Sequence, residues 1–180
     1  MADQDPWQTV PADHPALPGH FPGNPIVPGV VLLSQVWEAV CRQAGTPLHC
    51  AGYALLLFDA RSHGQSDLDT FSSMPRFAED IEHAVDWLKC QPGVDPERVG
   101  LVGHSVGAAA ALLAASRRDD LAAVVSIAAF AHPRTVMRRM LAAWRVPYIP
   151  FGWYILQYVQ HVIGHRFDDI APLNTIARLR

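Results

Sequence analysis

Charge is scarce in this sequence. Charged residues make up 17% of its 180 positions and nearly balance, leaving a formal net charge of −3. So small an imbalance offers little attraction to nucleic acid or to an acidic membrane surface, and no nucleic-acid partner is expected. Cysteine is scarcer still. Cys41, Cys50 and Cys90 lack metal-ligand spacing, so no metal is expected, and no cofactor-binding motif accompanies them. An odd cysteine count without a secretory leader predicts reduced thiols and a cytoplasmic setting. The opening Met1-Ala2-Asp3-Gln4-Asp5 is acidic where a secretory signal is basic. No internal repeat or low-complexity tract is present. Long unbroken apolar runs are missing too. The most apolar and aromatic stretch, Val146 to Gly164, is interrupted by Pro147, Pro150, Gly152, Gln157 and Gln160, which argues against a membrane-spanning helix. What remains is a chain half of whose residues are hydrophobic, long enough to bury a real core.

The rest of the chain is organised around Arg98 to Ser116. Val99-Gly100-Leu101-Val102 is an apolar run, Gly103-His104-Ser105-Val106-Gly107 a tight turn, and Ala108 to Ser116 an alanine-rich helical segment. A serine flanked by small residues between a strand and a helix has the pattern of a nucleophile elbow. Such a turn lifts the Ser105 hydroxyl above the sheet edge. It also aims the Val106 backbone N–H at a developing oxyanion, helped by the positive end of the helix. Ser105 is therefore the predicted catalytic residue and Val106 N–H the predicted oxyanion donor.

Before that core, Leu17-Pro18-Gly19-His20-Phe21-Pro22-Gly23-Asn24-Pro25-Ile26-Val27-Pro28-Gly29-Val30 is too rich in proline for a helix. A helix is predicted after it, over about 29–44, with Val30, Leu33, Trp37 and Val40 on one face. This segment resembles the hotdog-fold 3-hydroxyacyl-carrier-protein dehydratases. The resemblance implies that His20 is a catalytic base. The family's acid position falls on Ser34, and Glu38 lies one helical turn further, about 6 Å along the axis. His20 and Glu38 form the secondary candidate site.

From Gly52 the pattern changes. Tyr53 to Asp59 has the length and apolarity of a strand in a sheet buried on both faces. The loop Ala60 to Asp67 follows, then an amphipathic helix over 75–88 with Phe77, Ile81, Val85 and Leu88 inward. A strand over 98–102, a helix over 106–117 and a third buried strand over 121–128 complete two parallel βαβ units. Thr135 to Trp144 reads as helical, and Arg134, Arg138, Arg139 and Arg145 accompany it.

Residues 51–180 resemble the α/β-hydrolases, through Leu57-Phe58-Asp59-Ala60-Arg61-Ser62-His63-Gly64-Gln65-Ser66-Asp67, with Ser62 where glycine is usual, and Gly103-His104-Ser105-Val106-Gly107. The expected fold is α/β: a partial doubly wound parallel sheet of three to four strands. A helical cap over 146–164 and a proline-rich N-terminal loop with its helix complete it. The expected organisation is a dehydratase-like segment over 1–50 and a hydrolase-like core over 51–180. Segments 53–59 and 98–103 are expected to be adjacent, with the 29–44 helix packed on the sheet; the alternative is that Ile26 to Leu33 forms a strand between them, with Gln35 to Ala44 as its crossover helix. The cap is read as covering an active site, and membrane contact is not expected.

The resemblance implies ester, thioester or amide hydrolysis of a small-molecule acyl substrate through an acyl-Ser105 intermediate. The family's later triad carboxylate and histidine fall beyond Arg180, so the chain is expected to be catalytically incomplete as given. His63 reads as a structural or pocket-lining residue of the loop after the first strand, and His104 points away from its neighbouring serine. His161 and His165, near Asp168 and Asp169, read as cap polar groups rather than a surrogate dyad. Two alternatives stand beside this reading. One is a hotdog-type lyase acting through His20; the other is a non-catalytic fragment of a fusion or rearranged protein.

Overall fold

The computed structural model describes residues 53–179, nearly all of them in one compact unit, Leu56–Arg180. His20, Ser34, Glu38 and the helix expected over 29–44 lie outside the described residues.

Helix α1, Met74–Lys89, starts where the amphipathic pattern does. Ser73 caps it by accepting the Arg76 N–H, and Pro75 occupies the first turn, where its missing N–H costs nothing. Ala78 and Val85 are buried, while Phe77 and Ile81 pack on the core from its edge. Strand β1 is Gly100–His104, α2 is Val106–Ala115 and β2 is Ala123–Ile127. The strands pair in parallel, Gly100 opposite Ala123 and His104 opposite Ile127. Helix α2 is apolar all round, and every residue from Ala108 to Ala115 is buried, as such a helix must be. Its alanines let α1 and both strands approach closely.

Beyond β2 come α3, Pro133–Ala143, a wide helical turn over Tyr148–Gly152, and α4, Trp153–Ile163. Two short helices, α5 (Phe167–Ile170) and α6 (Pro172–Thr175), and a 3-10 turn at Ile176–Arg178 close the described chain. One core joins these parts. Ala78 of α1 and Ala110, Leu113 and Ala114 of α2 meet Leu141, Leu156, Phe167 and Ile170. The expected cap segment thus sends Leu156 into the core, while Trp153, Tyr154 and Tyr158 stay exposed. Among the described residues no helix is long and apolar enough to cross a membrane.

Three expectations are corrected. Residues 53–59 form no strand, and the described sheet has two strands rather than three or four. Accordingly 53–59 does not pair with β1, whose described neighbour is β2. The physical reason is that an apolar run becomes a parallel strand only when neighbours satisfy its N–H and C=O groups. Here Leu57 is 89% exposed. The chain instead folds locally at Asp59, whose carboxylate accepts the Gln65 N–H and whose carbonyl accepts the Ser66 hydroxyl. The third correction concerns burial. The strands were expected to be covered on both faces, yet Val102 and Val125 are each half exposed, on the side that α2 does not cover.

The loop after Asp59 is tied to α1 by charge. The Arg61 guanidinium donates to both Asp80 and Asp69, and Asp69 also pairs with Arg76. The Thr70 N–H and then Arg76 hold the Asp69 carboxyl down at about 2. A carboxyl lowered in the folded state stabilises the fold above its ordinary range near 4, and that contribution disappears as pH falls toward 2. Asp69→Asn is therefore expected to lower the thermal midpoint at pH 6. The gap from the wild type should close between pH 4 and pH 2 in a series of thermal melts, and a gap independent of pH would count against this role for Asp69.

Candidate active site

The last residue of β1, His104, passes the chain to Ser105, which has φ 54° and ψ −116°. Positive φ is costly for a residue with a Cβ, and this ψ lies outside the left-handed helical well as well. The strain is held on both sides. Ser105 N–H donates to Ile127 O of β2 at 2.9 Å, and Ser105 O accepts Ala109 N–H at 3.1 Å, closing the first turn of α2. Although Ser105 is the N-cap residue, its side chain makes no capping bond, so its hydroxyl is not used up by its own helix. Val106 is the first residue of α2, and its N–H has no acceptor within the helix. An uncapping hydroxyl and a helix-starting N–H thus sit on consecutive residues.

The two motif glycines differ. A Cβ on Gly103 would lie 2.5 Å from Gly107 O and 2.7 Å from Ala108 Cα, so the return of the chain onto β1 leaves room for hydrogen alone. A Cβ on Gly107 would meet nothing within 4 Å. In the other motif, Ser62 has φ 61°, which explains why glycine is usual there. Ser62 offsets part of that cost by accepting the Asp69 N–H on its hydroxyl at 2.9 Å.

The described histidines divide by occupation. His132 accepts the Arg134 N–H on Nδ1 and thereby caps α3. Its other nitrogen, Nε2, then carries the proton and donates to Asp168 Oδ1 at 2.9 Å. That bond, with Arg134 beyond it, lowers the Asp168 carboxyl. Sequence reading took His161 and His165, near Asp168 and Asp169, as cap polar groups rather than a dyad; the partner of Asp168 is His132, a turn residue 36 positions away. With both ring nitrogens engaged, His132 has no lone pair left for Ser105. His63 bonds Arg61 O through Nδ1 and sets its ring edge against Phe77. No described histidine hydrogen-bonds the Ser105 hydroxyl. His161 and His165 line an open cleft with Arg134 and Arg166.

The family comparison agrees with this strand–elbow–helix unit. A family model for X-Pro dipeptidyl-peptidases of the S15 family matches residues 6–151. A thiohydrolase of Arthrinium phaeospermum, apmlB, is 39% identical over 84 residues, covering 43% of this chain and 26% of its own length. A second thiohydrolase, aneE of Aspergillus aculeatus, is 37% identical over 99 residues, 51% of this chain and 30% of that protein. An uncharacterized protein of Mycobacterium tuberculosis, Rv2307c, is 34% identical over 144 residues, 73% of this chain and 48% of that protein. The chain therefore spans half or less of the length of these relatives. No solved structure matches it. None of the proteins named here is a dehydratase, so the N-terminal dehydratase resemblance rests on its motif alone. With most of its length matched by one family model, the chain belongs to the S15 family, a family of the α/β-hydrolase fold.

Proposed function

We propose that Ser105 is the nucleophile of a serine acyl hydrolase. It takes the acyl group of an ester, thioester or amide and passes it to water. The observation that carries this is the strained Ser105 backbone at the β1–α2 junction, which presents a free hydroxyl beside the Val106 N–H. In the reaction, Ser105 Oγ attacks the substrate carbonyl, its proton goes to a general base, and the new oxyanion is held by Val106 N–H. Collapse expels the alcohol, thiol or amine, and water then releases the acid from acyl-Ser105. Among the described residues no histidine hydrogen-bonds the hydroxyl, so none of them is assigned as that base. The thiohydrolase names of two relatives favour a thioester.

A thiol tests the elbow without needing the base, because cysteine is a nucleophile at neutral pH and a helix N-terminus favours its thiolate. Ser105→Cys is expected to be alkylated by iodoacetamide about tenfold faster than the exposed Cys90 of the same protein. It should also retain one acetyl group from p-nitrophenyl acetate, located by peptide mass mapping. The wild-type chain should hydrolyse that ester no faster than Ser105→Ala. A new thiol no more reactive than Cys90 would remove the basis for the proposal. It would favour the second reading, a non-catalytic segment, for which the unpartnered Ser105 hydroxyl speaks.

A further inference from the structure

From Leu121 to Phe167 the chain carries five arginines and not one acidic residue. Two of these arginines come together in space. Arg134, in the first turn of α3, and Arg166, just before α5, line an open cleft of about 460 Å³ with His161, in the last turn of α4, and His165, just after that helix. No carboxylate lines it. That volume falls in the range of small-molecule sites. We propose that this cleft binds a dianionic group, a phosphate monoester carried by a small molecule.

The hydrogen-bond inventory supports this. Arg134 spends a single long contact, 3.3 Å, on Asp168 Oδ2, which leaves most of its N–H fork for a ligand. Among the described residues Arg166 has no ion-pair partner within 4 Å. Asp168, the acid that Arg134 meets, also accepts His132. Gln160 is fixed as wall, donating to Leu156 O and accepting the Phe167 N–H. It also donates to Gln157 Oε1, which leaves the Gln157 amide N–H groups as further donors. The end of α4 brings partial negative charge, so the arginine side chains carry the attraction. Two guanidinium forks from different elements suit an oxyanion with several acceptors and two charges. The assignment goes beyond acyl transfer at Ser105 and is read by binding, so it stands or falls separately.

The test is a titration of phenyl phosphate followed by the NMR signals of the His161 and His165 rings. Saturable shifts with a Kd on the order of 1 mM are expected. Arg166→Gln should weaken binding about tenfold. Arg139→Gln, an exposed arginine of α3 outside the cleft, should change it by less than about twofold. Benzoate, with one charge, should bind more weakly than phenyl phosphate. Three results would overturn the proposal: no saturation, equal losses in the two arginine variants, or benzoate binding as tightly as phenyl phosphate.

Discussion

Replacing Gly103 with alanine is expected to destabilise the protein by about 3 kcal/mol, near the upper end for a methyl forced into a packed site. The added carbon would stand 2.5–2.7 Å from Gly107 O, Gly107 C and Ala108 Cα. All three are backbone atoms of the turn and of α2, and α2 is buried from Ala108 to Ala115. Relief would require α2 to move off β1, opening the core around Ala109 and Leu113. In thermal melts the midpoint should fall by roughly 10 °C. Gly107→Ala is the matched control. Its Cβ meets nothing within 4 Å and the position is helical, so alanine there should be neutral or stabilising by about 0.5 kcal/mol. Equal effects at the two glycines would contradict the elbow geometry.

The second large effect is expected at Arg61. Its Nε and Nη2 reach Asp80 Oδ1 at 2.8 and 2.6 Å, its Nη1 reaches Asp69 at 3.1 Å, and its own N–H donates to Asp80 Oδ2 at 3.0 Å. Arg61→Ala keeps the backbone bond but leaves Asp69, Glu79 and Asp80 close together without the cation between them. The side chain is 22% exposed, so solvent screens part of the attraction, and a cost of about 2 kcal/mol is expected. Arg61→Lys should recover less than half of it, because an ammonium cannot reproduce the planar fork. Urea titration of the three proteins measures both effects. A loss below about 0.5 kcal/mol would reduce the cluster to an ordinary surface ion pair.

These two residues also mark how far the chain could be read by eye. Gly103 and Ser105 were legible because a serine between a strand and a helix requires a local backbone shape that few residues allow. Helices α1 and α3 were legible to within two residues at either end, α1 from its apolar spacing. The Asp80 partner of Arg61 and the His132–Asp168 pair were not legible. Their members lie 19 and 36 positions apart, and no periodicity links them.

By itself, then, the sequence determined the strand–elbow–helix unit, its serine and the parallel order of β1 and β2, since each follows from short-range sterics or from the period of apolar residues. Tertiary structure alone decided three things: that Tyr53 to Asp59 stays out of the described sheet, that Val102 and Val125 lie half exposed, and that two arginines 32 positions apart share a cleft. An apolar run has the same sequence whether or not it finds a partner. Pairing, burial and charge clustering depend on neighbours distant along the chain, and only the packed fold supplies them.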